Sequence, residues 1–340
     1  MTKPNLTLKT VAQQLGVSTA TISNAFSRPD QLSAQLRDKI LRACAELGYQ
    51  GPNKAAQSLR KGSSGIVAVV LSDSLEYMVS DPVASQFIRG AAKGLEQHGQ
   101  HMLLFSGSAP SIDAIVDFVD GFILYGAPRN PALIRQLATT SKKVLTVDCD
   151  IPGRASVNID NEQAAYQLAS QVLTPQSKAV VLGLRLIDAE QSQPIGAQPL
   201  WEQQSSVAHR RLDGYLRAAA EQGVALPNEQ IWHIPQSNQQ FAEQAVLQAL
   251  ALKPTVLLCM SDIIALSAMR LVLQQGLKIP EDIQVVGFDG IDEGSRYHPT
   301  LTTVCQRSDE KGLQAVEAFI AGSNDTTLLP YQIIHGESCR

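Results

Sequence analysis

The chain has 340 residues, 44% of them hydrophobic and 18% charged, with a formal net charge of −4. That balance excludes a disordered polypeptide and leaves room for two or three compact units. The longest apolar stretches, such as residues 66–71 and 256–260, are far shorter than the roughly 20 residues of a membrane-spanning helix, so no membrane partner is expected. The charge is divided unevenly. Residues 1–62 carry nine basic and three acidic groups, net +6, whereas the rest carries 19 basic and 29 acidic groups, net −10. A basic head on an acidic body suggests a polyanionic partner for the head. Met1 to Asn5 lead into a patterned helix without an apolar signal segment, and Cys44, Cys149, Cys259, Cys305 and Cys339 form no C-x-x-C pair. The expectation is a cytoplasmic protein with reduced thiols.

Leu8, Val11, Ala12 and Leu15 recur at helical spacing and stop at Gly16-Val17-Ser18. Gly16 suits the left-handed residue at a helix end, and Ser18 suits the cap of a second helix reaching Phe26. The spacing Ala12-x3-Gly16-x5-Ile22 predicts a helix-turn-helix, and Ser33 opens a third helix ending at Gly48. Thr19, Ala20, Thr21, Ser23 and Asn24 form the polar face of the second helix; a plain three-helix bundle is the alternative. In residues 49–65, Tyr49-Gln50-Gly51-Pro52-Asn53 is turn-like and about two helical turns follow, too few for a stable isolated helix. Leu59, beside Arg60 and Lys61, has either the composition of a minor-groove wedge or that of a cover for the body's surface.

From Ile66 onward, strand-like runs alternate with helical ones, which predicts an α/β body of parallel sheets covered by helices. Ligands of such sheets sit at the C-terminal strand ends. The polar residues there are Ser72, Asp73, Asp148, Ser261, Asp262 and Asp289, although an Asp such as Asp262 is as readily a helix cap. Arg211 and Gln306 join them as candidates.

The run Leu8-Lys9-Thr10-Val11-Ala12, then Gly16 to Asn24, Leu36 to Ile40, Glu46 to Tyr49, and Asn53 with Ala56 to Leu59, resembles the head of the lactose/galactose repressor family. The resemblance continues to near Cys339. It implies a homodimeric repressor that binds a palindromic double-stranded operator under control of a small-molecule effector. Thr19, Ala20 and Asn24 then fall at base-reading positions, Thr21 and Ser23 beside phosphates, Leu59 at the minor-groove wedge, with Asn53 and Arg60 in the same hinge. Asn24 stands where the family commonly has Arg, which suits an adenine edge rather than guanine. Tyr49 and Pro52-Asn53 are one residue further apart than is usual. The motifs around Arg211, Asp289 and Gln306 resemble the family's effector contacts.

The resemblance also implies a two-lobed, type I periplasmic-binding-protein-like body. The domains expected are a helix-turn-helix at 1–50, a hinge at 51–64 and the body at 65–340. Its first lobe takes 65–160 and 306–323, its second 161–305 and 324–340, with crossings near Ile159, Gln306 and Ser323. Sugars are the family's default effectors, though acids with one Arg would also suit an amine. Relatives often place an aromatic early in residues 235–241. Here Gln236-Ser237-Asn238-Gln239-Gln240 precede Phe241, leaving Trp201 as a substitute within 188–206, which reads as a surface loop or a lid. The C-terminus lacks a leucine heptad tail, so the expected assembly stops at a dimer.

Catalytic, cofactor and metal sites are not expected. The chain has no G-x-x-x-x-G-K-[ST], no G-x-S-x-G and no H-E-x-x-H, and its six histidines have no ligand spacing. A solute-binding or sensor protein with the same body remains the alternative, against which the basic head argues.

Overall fold

The computed structural model describes residues 6–51, 63–200 and 206–340. The chain divides into two compact units between Gly65 and Ile66. In the first, α1 (Leu8–Leu15) opens on Thr7, whose hydroxyl accepts from the Thr10 N–H while the Thr10 hydroxyl accepts from the Thr7 N–H. Two otherwise open donors are satisfied reciprocally. The helix ends at Gly16, φ 63°. α2 (Thr19–Ser27) is capped by Ser18 and α3 (Ala34–Glu46) by Ser33, each accepting from an N–H three residues on. Val11, Ala12, Ile22, Ala25, Ile40 and Cys44 close the core between them. Tyr49 meets Phe26 edge-on at 5.9 Å between ring centres, and Arg37 Nε donates to the Ala25 carbonyl at 3.1 Å, an acceptor that the end of α2 leaves open. Most of the expected hinge, with Asn53, Leu59 and Arg60, lies outside the described residues, as does Trp201.

The second unit has two sheets. One is built from β1 (Ile66–Val70), β2 (His101–Phe105), β3 (Gly121–Tyr125), β4 (Lys143–Val147) and β5 (Ala155–Ile159). The other uses β6 (Ala179–Leu184), β7 (Gln193–Pro194), β8 (Ile231–Ile234), β9 (Val256–Cys259), β10 (Gln284–Asp289) and β11 (Thr302–Cys305). Near the C-terminus, β12 (Thr326–Leu329) joins the first sheet beside β5, and β13 (Gln332–Ile334) joins the second beside β11. The strand orders are β12-β5-β4-β3-β1-β2 and β13-β11-β10-β9-β6-β8-β7. All pairs are parallel except the two outer ones made by β13 and β7. The runs read as unbroken apolar stretches because both faces are buried. In β1, Val67 and Val69 enter one core and Ala68 and Val70 the other; in β9, Val256 and Leu258 oppose Leu257 and Cys259.

Two expectations change. The third crossing lies between Leu329 and Gln332, not near Ser323, so residues 326–329 belong to the first lobe. Two β-branched threonines, Thr326 and Thr327, suit the open edge beside β5, and Pro330, which lacks an N–H, ends the strand. Residues 188–195 are no loose surface loop: β7 pairs with Trp232 and His233, Ile195 is buried, and Ser192 Oγ donates to the Phe241 carbonyl at 2.8 Å.

Glycines let the covering helices approach closely in both lobes. A Cβ on Gly90, in helix Pro82–Gln97, would stand 1.8 Å from the Asp309 carbonyl oxygen, and one on Gly214, in helix Val207–Glu221, 2.2 Å from that of Glu162. At Gly16 a Cβ would meet nothing within 4 Å. Gly16→Ala should therefore cost only the roughly 1 to 2 kcal/mol of a left-handed L-residue. Gly90→Ala, which must push backbone aside, should reach or exceed the upper end of the roughly 1 to 3 kcal/mol typical of overpacking. Calorimetric melts of both variants check this ranking.

Candidate functional site

In the first unit α2 turns Thr19 and Ala20 to solvent, with Thr21, Ser23 and Asn24 half-buried beside them. Thr21 Oγ1 lies 2.8 Å from Ser18 Oγ, and Asn24 Nδ2 donates to Gln31 Oε1 at 3.4 Å, so local contacts orient both side chains. Lys9, Arg28, Lys39 and Arg42 are exposed on the same small unit. The face offers short donors and acceptors at the start of a helix, on a unit that also exposes cations, the chemistry that meets base edges and phosphates.

In the second unit the C-terminal ends of β1, β4, β9 and β10 meet at one cavity of about 130 Å³ between the two sheets. Ser72, Asp148, Arg211, Ser261, Asp289 and Gln306 all line it. Asp148 and Asp289 hold their carboxylates there from backbone with φ 57° and 131°, conformations that a side chain normally avoids. Each acid is paired. Arg211 Nη1 is 3.5 Å from Asp289 Oδ1, its Nε donates to Asn161 Oδ1 at 2.9 Å, and its guanidinium lies 3.6 Å from the centre of the Phe288 ring. Gln306 Nε2 donates to Asp289 Oδ1 at 2.7 Å, while Gln306 Oε1 accepts from Lys311 Nζ at 2.8 Å. Lys311 Nζ also donates to both Asp148 oxygens, at 2.9 and 2.7 Å. A continuous chain of charge-assisted bonds thus runs from the second lobe to the first.

Burial pushes the Asp289 carboxyl well above its usual range, with Arg211 opposing the shift. Burial likewise lowers the Lys311 ammonium, opposed by Asp148. Tyr77 and Tyr125 add aromatic surface from the first lobe, where 235–241 lacks an early aromatic. Tyr77 Oη accepts from the Ser237 N–H across the cleft at 2.9 Å, and Tyr125 stacks on Phe87 at 4.2 Å. Arg210 Nη1 reaches Asp150 at 3.0 Å, and Arg129 reaches Glu190 at 2.9 Å, so further polar bridges join the lobes. Asp73 is buried 3.4 Å from Arg129.

Asp262 is the correction. It is fully buried, Oδ2 accepting from the Gly290 and Ile291 N–H groups at 2.7 and 2.9 Å and Oδ1 from the Thr303 hydroxyl. Its carboxylate is spent on holding the turn after β10, and burial raises it to about 6. Ser261 does both jobs, capping helix Asp262–Gln274 and facing Ser237 at 2.6 Å.

Sequence reasoning passed over Lys311, although a signal existed. Ser308, Lys311, Gly312, Ala315, Val316 and Phe319 form one buried helical stripe, and a lysine on such a stripe has to have a buried partner. Lys311→Met should destabilise the protein by roughly 3 to 5 kcal/mol by leaving Asp148 uncompensated. Adding Asp148→Asn should recover most of that loss in urea melts.

Residues 7–53 match the family model described as bacterial regulatory proteins, lacI family. Residues 198–339 match the periplasmic binding protein-like domain. An HTH-type transcriptional regulator of Mycobacterium tuberculosis is 36% identical over 327 residues, covering 92% of this chain and 90% of its own length. The HTH-type transcriptional repressor CytR of Escherichia coli is 29% identical over 327 residues, covering 91% and 87%. Among solved structures, the lac repressor dimer bound to operator and the anti-inducer ONPF superposes with a TM-score of 0.72 at 24% identity over 99% of each chain, a likeness of fold. With a relative more than one-third identical along nine-tenths of both sequences, this chain belongs to the LacI/GalR family of bacterial transcription regulators.

Proposed function

We propose that the protein is a sequence-specific DNA-binding repressor of the cytoplasm whose operator affinity is set by a small polar effector held in the interlobe cleft. The observation that carries this reading is the exposed start of α2, Thr19 and Ala20 with Asn24 one turn on, in a chain that also holds a cavity lined from both lobes. A helix presented this way enters the major groove from its N-terminal end. Asn24 then meets an adenine edge, with Thr21 and Ser23 at phosphates. Asn53 and Arg60 contact the backbone, and Leu59 wedges the central minor-groove step.

A homodimer supplies two such helices to a palindrome, and no catalytic step, cofactor or metal is required. Ser72, Asp148, Arg211, Ser261, Asp289 and Gln306 orient the effector. Every acid among them already has an internal cation or amide partner, which favours a ligand with hydroxyls over one bringing its own positive charge.

Selection from a random pool of double-stranded DNA should return a palindrome. Asn24→Ala should lose about 1 to 3 kcal/mol at one base pair of each half-site and little elsewhere. In a thermal-shift screen of sugars, nucleosides and amino acids, a ligand at 100 times its dissociation constant adds about 2.7 kcal/mol of stability. Arg211→Ala and Asp289→Ala should abolish that response and leave DNA affinity near wild type. Binding without sequence preference, and purely monomeric sedimentation, would remove the operator reading.

A further inference from the structure

His233 lies on β8 with 1% of its surface exposed, outside the cavity lining. Its ring serves the chain that leaves β6. The Leu186 and Ile187 N–H groups both donate to Nδ1, at 3.0 and 3.2 Å, and Nε2 donates to the Ala189 carbonyl at 2.9 Å. Two donors aimed at Nδ1 leave no place for a proton there, so the ring is neutral and carries its hydrogen on Nε2. The Arg185 N–H donates to the carbonyl of Ile234, the next residue of β8, at 2.9 Å. The arc 185–189 therefore hangs from two consecutive residues.

That arc supports the cleft. Leu184 and Arg185 line the cavity, and Arg185 sits at φ 52°, a conformation its neighbours must enforce. Its guanidinium stands 3.9 Å from Asp73 of the first lobe. Glu190, immediately after the arc, accepts from Arg129 of the first lobe. Two of the bridges joining the lobes thus depend on where this short segment is held.

We propose that His233 is a positioning residue of the cleft, its neutral imidazole holding the arc so that Arg185 and Glu190 meet the opposite lobe, and that acid releases this hold. Protonation would put a hydrogen on Nδ1 against two N–H groups and break both bonds. Burial lowers the ring's pKa; among the charged groups around it, Arg185 works with burial, whereas Asp188 and Glu190 oppose it. Because the held ring binds a proton less readily than a freed one, the arrangement is fully present above the ordinary value of 6.5 and is lost as the pH falls below it. The consequence for ligands rests on the cleft being the effector site, but the test below needs no effector, so the two ideas fail separately.

The full-length chain would be followed from pH 7.5 to 5.5 by hydrogen exchange and by the distance between spin labels at Lys93→Cys and Gln248→Cys, exposed helix positions in opposite lobes. Cys305→Ser and Cys339→Ser, with dilution into unlabelled chain, isolate the intrachain distance. Opening of the Leu186 and Ile187 amides, corrected for intrinsic rates, should rise about tenfold per pH unit below about 6.5, with the interlobe distance widening in step. His233→Asn keeps an acceptor at the Nδ1 position and cannot titrate, so both changes should disappear in it. Unchanged exchange in the wild type would overturn the proposal. So would an arc that loosens without moving the lobes, or a His233→Asn variant that still follows the wild-type pH profile. The wild-type titration alone decides the matter should the variant not fold.

Discussion

The Lys311 ammonium sits fully buried against both oxygens of Asp148, and its position constrains the chain on every side. An ammonium taken out of water is tolerated only where good geometry and further hydrogen bonds offset its desolvation. Asp148 meets that condition from a left-handed backbone at the end of β4. Gln306 meets it by turning its amide oxygen to the ammonium, which turns its NH2 group to Asp289. Helix Ser308–Ala321 must in turn lie close enough to the first sheet to deliver the lysine. Gly90 and Gly312 permit this, since a Cβ on either would strike the backbone of the facing helix.

The two lobes solve the same problem with different cations. In each, a parallel strand ends in an aspartate with positive φ, and the carboxylate faces the cavity while a buried cation stands behind it: Lys311 behind Asp148, Arg211 beside Asp289. Gln306 lies on one of the chain crossings and touches both arrangements. A change in lobe angle must stretch or rotate this one amide, so the polarity of the cleft floor and the closure of the cleft are not independent. Paired charges of this kind leave acceptor lone pairs for a ligand's hydroxyls without an unbalanced field across the cavity.

Much of this was legible in the sequence because the governing physics is local. Gly16, Ser18 and Ser33 cap or stop helices within a few residues of themselves, and the runs of β1 and β9 are apolar throughout because both faces are buried. Strand ends located four cavity residues, Ser72, Asp148, Ser261 and Asp289, through the general placement of ligands in parallel sheets, whereas Arg211, inside a helix, and Gln306 were added on the motifs around them. What escaped was set by partners far away in the chain. Asp262 reads like Asp289 in sequence, yet its oxygens are consumed by Gly290, Ile291 and Thr303. The pairing of Thr326 to Leu329 with β5 joins segments about 170 residues apart, and no nearby residue announces it. His233 looked like one more isolated imidazole until the arc it holds was in view.

The late crossing of β12 bears on the order in which the protein can be made. Val316 and Phe319, which help cover the face of the first sheet bearing Val67, Val69, Leu145 and Val147, belong to a helix that follows every strand of the second lobe except β13 in sequence. At synthesis rates of roughly 5 to 20 residues per second, the nascent first lobe waits on the order of ten to thirty seconds for its cover and its edge strand. Throughout that interval helix Pro82–Gln97 covers only part of that apolar face, and the strand edge beside β5 lacks its partner. The second lobe, whose principal strands and helices lie within one unbroken stretch, can condense first. The half of the cleft that carries Arg211 and Asp289 is then in place before the half that carries Asp148 and Lys311 has closed.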